Sequence, residues 1–225
     1  MISVILTKHK RTHLFEKQLE RVKSQSVKPT EIIVVDNTQQ NLGVWSRFST
    51  AIHAKNEFVC VIDDDTIPGT LWLEHCFNQF NRREGLYGTH GWIFNSNKQW
   101  KGNYKRIGWP SQNEETIEVD YVSHNWFFKK DWLKWYWDYI PEPRFFNCGE
   151  DMNFSFQLQK QGIRTFVPPH LANNKSLWGS VEEKHGLDEN SLWESNRDGF
   201  RQSMFDFFDD QVQRGWKLIN EPTLM

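Results

Sequence analysis

Three adjacent carboxylates, Asp63, Asp64 and Asp65, follow directly on the apolar run Phe58 to Ile62. Like charges on neighbouring residues repel unless water or a cation takes up the field. The carboxyl end of a buried strand has little water, so the natural partner is a hard divalent ion with oxygen ligands. In an extended backbone side chains alternate, which predicts that Asp63 and Asp65 share one ion's neighbourhood while Asp64 faces elsewhere. The competing reading is a solvated acidic loop or a helix cap, with Asp65 or Thr66 capping a helix that opens near Pro68. A second acidic pair, Glu150 and Asp151, follows Cys148-Gly149 and opens the helical run Met152 to Lys160. A helix N-terminus stabilises an ionised carboxylate, so the expected pKa of Asp151 is low. Acidic residues are also ordinary helix starters, and a simple capping pair is the alternative.

The elements that must hold these residues follow from periodicity. Ile2 to Leu6, Glu31 to Val35 and Phe58 to Ile62 read as strands, and Leu14-Leu19-Val22 and Val44-Phe48-Ala51-Ile52 read as the helices between them. Strand, helix, strand, helix, strand implies parallel strands with right-handed crossovers, hence an open α/β sheet. Each strand ends in polar residues, and in such sheets the ligand sits beyond those ends. Further on, the pattern predicts a helix over 70–80, strands over 86–94, 116–122 and 163–167, and an aromatic helix or turn over 130–139. Residues 95–113 read as an aperiodic connection and about 191–214 as one long helix.

The chain has 225 residues, 38% hydrophobic and 25% charged, which is globular rather than disordered. No linker divides it, so it reads as one domain with a first half over 1–95 and a second over 96–225. A net charge of -2 provides no broad basic field, which argues against a nucleic-acid binder. Three scattered cysteines suit neither a disulfide framework nor a zinc site. No run of about 18 apolar residues is present for a membrane span and the start lacks a signal-peptide pattern, so the expectation is a cytoplasmic protein, with peripheral membrane contact left open. Aromatic residues reach 15%, with 12 Trp and 17 Phe, a composition that serves cores and also stacks on sugars and bases.

Thr7 and Arg11 after the first strand, Asp36 after the second, Asn41-Leu42-Gly43 with Arg47, Ile62-Asp63-Asp64-Asp65-Thr66, and residues 147–162 with Glu150-Asp151 together resemble the GT-A glycosyltransferases, family 2 in particular. The ordered set spans residues 1 to about 170. The chain departs from the family pattern at Lys8-His9 and at Asn37. The resemblance implies a GT-A fold, a Rossmann-like, mostly parallel sheet with helices on both faces and a smaller acceptor-side region. It implies Mn²⁺ or Mg²⁺ held by Asp63 and Asp65, with His170 as a further ligand and His185 as its rival. It gives Thr7, Arg11, Asp36, Arg47, Asp63 and Asp64 to the nucleotide-sugar. Asp151 would be the base that deprotonates the acceptor, with Glu150 beside it. Trp92, Trp109, Trp126, Trp178 and Trp193 are possible stacking platforms or core residues, and Trp126 is the one chosen for the acceptor pocket.

The implied activity is transfer of a sugar from a UDP-linked donor to a glycan or glycolipid acceptor, with inversion. The loop from Ser176 to Leu192 would act as a lid over the donor. Two other classes share features: a sugar-phosphate nucleotidylyltransferase, although residues 7–13 lack the glycines of a phosphate loop, and a non-catalytic carbohydrate-binding module, which would not need Asp151.

Overall fold

The computed structural model describes residues 1–96, 103–182, 186, 188–196 and 199–220. Strand β1 (Ile2–Lys8) leads through helix α1 (Thr12–Lys23) to β2 (Glu31–Asp36), and α2 (Ser46–Ala51) leads to β3 (Phe58–Ile62). Both β2 and β3 pair with β1 in parallel. The two crossovers leave in opposite directions, so right-handedness puts α1 and α2 on opposite faces of the sheet and opens a crevice at the carboxyl ends of β1 and β3. The continuous apolar runs have the covered faces they require: Val4 to Leu6 and Val59 to Ile62 are fully buried. Each such side chain contributes about 1.5–3 kcal/mol by leaving water.

Beyond β3 come α3 (Trp72–Arg82), β4 (Gly85–Phe94), β5 (Tyr104–Gly108), β6 (Ile117–Glu118), β7 (Tyr121–Lys129), α4 (Leu133–Tyr136), α5 (Glu150–Gln159), β8 (Arg164–Val167), α6 (Leu192–Ser195) and α7 (Phe200–Gln213). Among the described residues these strands complete an eight-stranded sheet in the order β2-β1-β3-β7-β4-β8-β6, with β5 on β4. Antiparallel pairing makes β7, β5 and β6 the reversed strands, while the other five run one way. The amino-terminal half of β7 therefore lies at the same edge as the carboxyl ends of β1 and β3.

Three elements differ from the sequence reading. β5 lies inside the stretch expected to be aperiodic. The strand expected over 116–122 is split into β6 and the start of β7, which runs on through Trp126. The single C-terminal helix is two, interrupted where Asn196 and Gly199 take left-handed backbone angles of +45° and +70°. Most of the aromatic content is core. Phe48 packs on Tyr136 and Trp126, and Phe128 on Phe154, with centroids 4.8, 5.4 and 4.7 Å apart. This cluster locks α2 against β7, α4 and α5, and it sets Arg47 of α2 opposite Glu150 of α5.

Candidate functional site

A cleft of about 410 Å³ lies at the sheet edge just described, lined by both acidic groups. Asp63, Asp64 and Asp65 all face it. The strand ends at Ile62, and the Thr66 N–H donates to the Asp63 carbonyl at 3.2 Å, so the triplet is a turn and the expected strand alternation does not apply. The three carboxylates have different partners. Asp63 pairs with Arg47, and Asp64 accepts from Arg11 Nη1 at 2.9 Å. Asp65 is less engaged: the Thr66 hydroxyl donates to it at 3.2 Å, while Arg11 Nη1 and His124 Nδ1 stand 3.5 and 3.7 Å away.

Arg47 binds Asp63 with one terminal nitrogen and Glu150 with the other, its guanidinium 4.6 Å from the Trp126 ring centroid. One buried cation thus ties the triplet to the start of α5. Arg11 is equally committed: Nε and Nη2 donate to the two oxygens of Asp188 at 2.9 and 2.8 Å, while Nη1 holds Asp64. Burial works against the charge of both arginines, yet their carboxylate neighbours raise both above the ordinary guanidinium value. The acids bear the complementary strain. Burial, with repulsion from Asp65, Asp64 and Glu150, pushes Asp63 up to about 8 against the pull of Arg47. Burial and Asp65 raise Asp64 against the pull of Arg11, and burial raises Glu150 against Arg47. Asp151 rises well above the usual carboxylate range through burial and then Glu150, which reverses the low value expected at a helix start. Its Oδ1 accepts only the Met152 N–H, at 2.8 Å, among the hydrogen bonds seen.

Gly149 ends the preceding loop at φ +85°, an angle that favours glycine, and an added Cβ would press on the Phe207 ring. β7, which also borders the cleft, carries a bulge: Gly88 and His90 of β4 pair with Trp126 and Ser123, so one β4 residue, Thr89, faces two on β7, His124 and Asn125. His124 lies in that bulge at φ +71°, its ring 4.5 Å from that of His90. Strain of this kind in a cleft wall is characteristic of functional sites.

The other predicted positions are placed as follows. Thr7 lines the cleft, and Asp36 does not: it is exposed and accepts from the Thr38 N–H at 3.0 Å and hydroxyl at 2.5 Å, the turn-capping alternative for such a residue. Asn37, passed over by the resemblance, faces the cleft instead, with its Oδ1 unpartnered, as is the Thr7 Oγ1. Alternation along β2 from buried Val35 to Asn37 is the signal that could have found it. Trp126 is fully buried outside the cleft lining, with Nε1 donating to the Val122 carbonyl at 3.0 Å; Trp178 is likewise outside it. Trp92, Trp109 and Trp193 do line the cleft. His170 is fully buried away from that lining, in an edge-on contact with Trp178 and a tilted one with Trp72. Its Nδ1 is 2.9 Å from the Pro168 carbonyl, and its Nε2 is 3.4 Å from the Gly179 N–H. His185 lies outside the described residues.

Asp65 and Asp63 offer hard oxygen donors suited to Mg²⁺ or Mn²⁺. Among the described residues no three His, Cys, Asp or Glu side chains form a group able to hold a metal ion unaided. The residues fit an ion that takes one or two protein oxygens and fills its other positions from phosphate and water. Residues missed by the sequence reading are Asn37, His124, Arg106 and Asp188; the last three come from a bulge, an unexpected strand and a loop, none with a periodic signal.

No family model matches the chain, and no curated protein matches it in sequence. Solved structures do match in shape. TarS residues 1–349 of S. aureus, in complex with UDP-GlcNAc, superposes with a TM-score of 0.54 at 17% identity, over 76% of this chain and 56% of that one. The fold is GT-A-like. A second structure of the same TarS fragment gives 0.53 at 17% identity, over 76% and 58%. The A197 protein of STIV gives 0.45 at 14%, over 75% and 82%. The chain spans little more than half the length of the TarS fragment. Among the described residues no helix is long and apolar enough to cross a membrane.

Proposed function

We propose that this chain is a metal-dependent glycosyltransferase that moves a sugar from a UDP-linked donor to a hydroxyl of a glycan or glycolipid acceptor, with inversion. The observation that carries the reading is the joining of two acidic centres in one cleft by Arg47, bound at once to Asp63 and Glu150. Donor departure and acceptor deprotonation need separate groups held at a fixed separation, and such a bridge supplies that. The GT-A-like fold and the UDP-GlcNAc bound by TarS support a nucleotide-sugar donor.

Thr7 and Asn37 would bind the base, since both keep a buried oxygen without a protein partner at the ends of β1 and β2. Asp65, with Asp63, would hold Mn²⁺ or Mg²⁺, which when bound stabilises the negative charge on the departing diphosphate. Arg11 and Arg47 would exchange part of their carboxylate contacts for diphosphate oxygens. Asp151 would take the acceptor proton: burial makes it a stronger base than an ordinary aspartate, and Glu150, fixed by Arg47, would orient the acceptor.

Incubation with Mn²⁺ and a panel of UDP- and GDP-sugars, followed by assay of free nucleoside diphosphate, tests the reading. A transferase hydrolyses its donor slowly. A nucleotidylyltransferase would instead release pyrophosphate from sugar phosphate and nucleoside triphosphate, and a binding module would do neither.

A further inference from the structure

Among the described residues three arginines line the cleft, and two of them are paired with described carboxylates. Arg11 and Arg47 are each shared between acidic side chains. Arg106, on β5, pairs with no carboxylate among the described residues. Its guanidinium lies instead against aromatic faces, 5.9 Å from the Trp92 ring centroid and 5.6 Å from that of Trp109. Electrostatics separates the three in the same way. Arg11 and Arg47 are lifted by carboxylates, whereas desolvation lowers Arg106, with only Tyr121 and Tyr104 pulling it back.

The wall around Arg106 is incomplete in a second respect. His90 is 1% exposed and Trp109 3% exposed, and both line the cleft, yet His90 Nδ1 and Trp109 Nε1 have no hydrogen-bond partner. Buried polar atoms are ordinarily satisfied, so two orphans beside an unpaired cation mark a place for a polar, negatively charged ligand. Trp92, half-buried and stacked on Tyr121 with centroids 4.5 Å apart and planes 6° apart, adds a flat apolar face suited to a sugar ring. The donor diphosphate has its own cations, Arg11 after β1 and Arg47 of α2, which holds Asp63 just beyond β3. Arg106 belongs to β5, which pairs with β4 and is separated from β1 and β3 by β7.

We infer that the acceptor is an anionic saccharide, bearing a phosphate or carboxylate oxyanion that Arg106 grips in bidentate fashion while the ring rests on Trp92. A guanidinium set over aromatic rings is weakly hydrated, and its planar fork matches such a group. The inference rests on the proposed transferase reading, because it assigns Asp151 and this wall to the acceptor.

The test is calorimetric, on the full chain saturated with UDP and Mn²⁺ so that the diphosphate cations are already occupied. The probes are methyl α-glucopyranoside, its 6-phosphate, and the corresponding methyl glucuronoside. The expected result is that at least one anionic probe binds roughly tenfold or more tightly than the neutral one, in keeping with a charge-assisted bidentate contact. The 6-phosphate and glucuronoside arms tell phosphate from carboxylate. In Arg106→Gln the advantage should vanish, and Arg106→Lys should restore part of it; thermal unfolding of both variants checks that the fold is kept. Equal affinities for the three probes, no measurable binding of any, or an advantage that survives in Arg106→Gln overturns the inference. Failure of the underlying reading is separate: it shows as absent UDP binding in the first titration, and the same probes still read out whether Arg106 prefers an anion.

Discussion

Asp151 is buried beside Glu150, and its carboxyl gains basicity from that setting rather than losing it to the helix N-terminus. Desolvation of this buried carboxyl, with repulsion from Glu150, outweighs the dipole, which is worth at most about 2 kcal/mol even in a partly buried setting. Asp151→Asn should therefore keep donor binding and lower transfer by roughly 10²-fold or more. A base must be deprotonated to act, so wild-type transfer should fall as pH drops through the raised pKa. That acidic limb should lie above the ordinary aspartate range, its midpoint belonging to the coupled acidic group as a whole, and be absent from the residual rate of the variant. A variant with normal turnover would remove Asp151 from the mechanism. At this scale the sequence was informative about residue types and poor about partners. The carboxylates stood out because they interrupt an apolar run. That Arg47 would be drawn between Asp63 and Glu150, 103 positions away in sequence from the latter, depends on aromatic packing that no local pattern encodes.

At the scale of elements, the bulge in β7 supplies the clearest forecast. His124 sits at φ +71° with its carbonyl accepting the Asp63 N–H at 3.0 Å, so the bulge both turns the ring into the cleft and anchors the acidic turn. Replacing the histidine by alanine or by glycine removes the same ring. Only glycine relaxes the left-handed backbone, so His124→Gly should be more stable than His124→Ala by about 1 kcal/mol in denaturant unfolding. Equal stabilities would mean that the bulge is not strained. The first three strands and the two helices between them were legible because covered parallel strands are continuous apolar runs and their helices keep a regular period. β5, β6 and the break before α7 were not. β5 carries Lys105 and Arg106 among its five residues, β6 has only two residues, and the break needs a left-handed Asn196 that composition does not announce. The motif reading placed Asp36 at the nucleotide, whereas the strand's own alternation favours Asn37, which has no carboxylate and needs no cation.

For the whole molecule, burial of titratable rings sets an acid limit on stability. His170 is fully enclosed between Trp72 and Trp178, and burial lowers it to about 4. Its unfolded value is near 6.5, so the unfolded chain takes up a proton first. The stability tied to neutral His170 is intact above about pH 6.5 and is lost progressively as pH falls towards 4, a loss of about 3 kcal/mol in all. The raised carboxyl of Asp63 acts in the opposite sense, its contribution declining as pH rises towards 8, so the histidine is best isolated by difference. The gap in unfolding free energy between wild type and His170→Asn should narrow between pH 6.5 and 4; a constant gap would show that the ring titrates normally.

The account turns on a divalent ion and a nucleoside diphosphate meeting at Asp65. Asp65 is the triplet member without an arginine hydrogen bond, so Asp65→Ala can be made without stranding Arg11 or Arg47. Calorimetric titration of UDP into wild type and Asp65→Ala, each with and without Mn²⁺, tests the claim directly. The expected result is UDP binding by the wild type that depends on Mn²⁺ and is lost in the variant. Binding indifferent to Mn²⁺, or unchanged by Asp65→Ala, would contradict it.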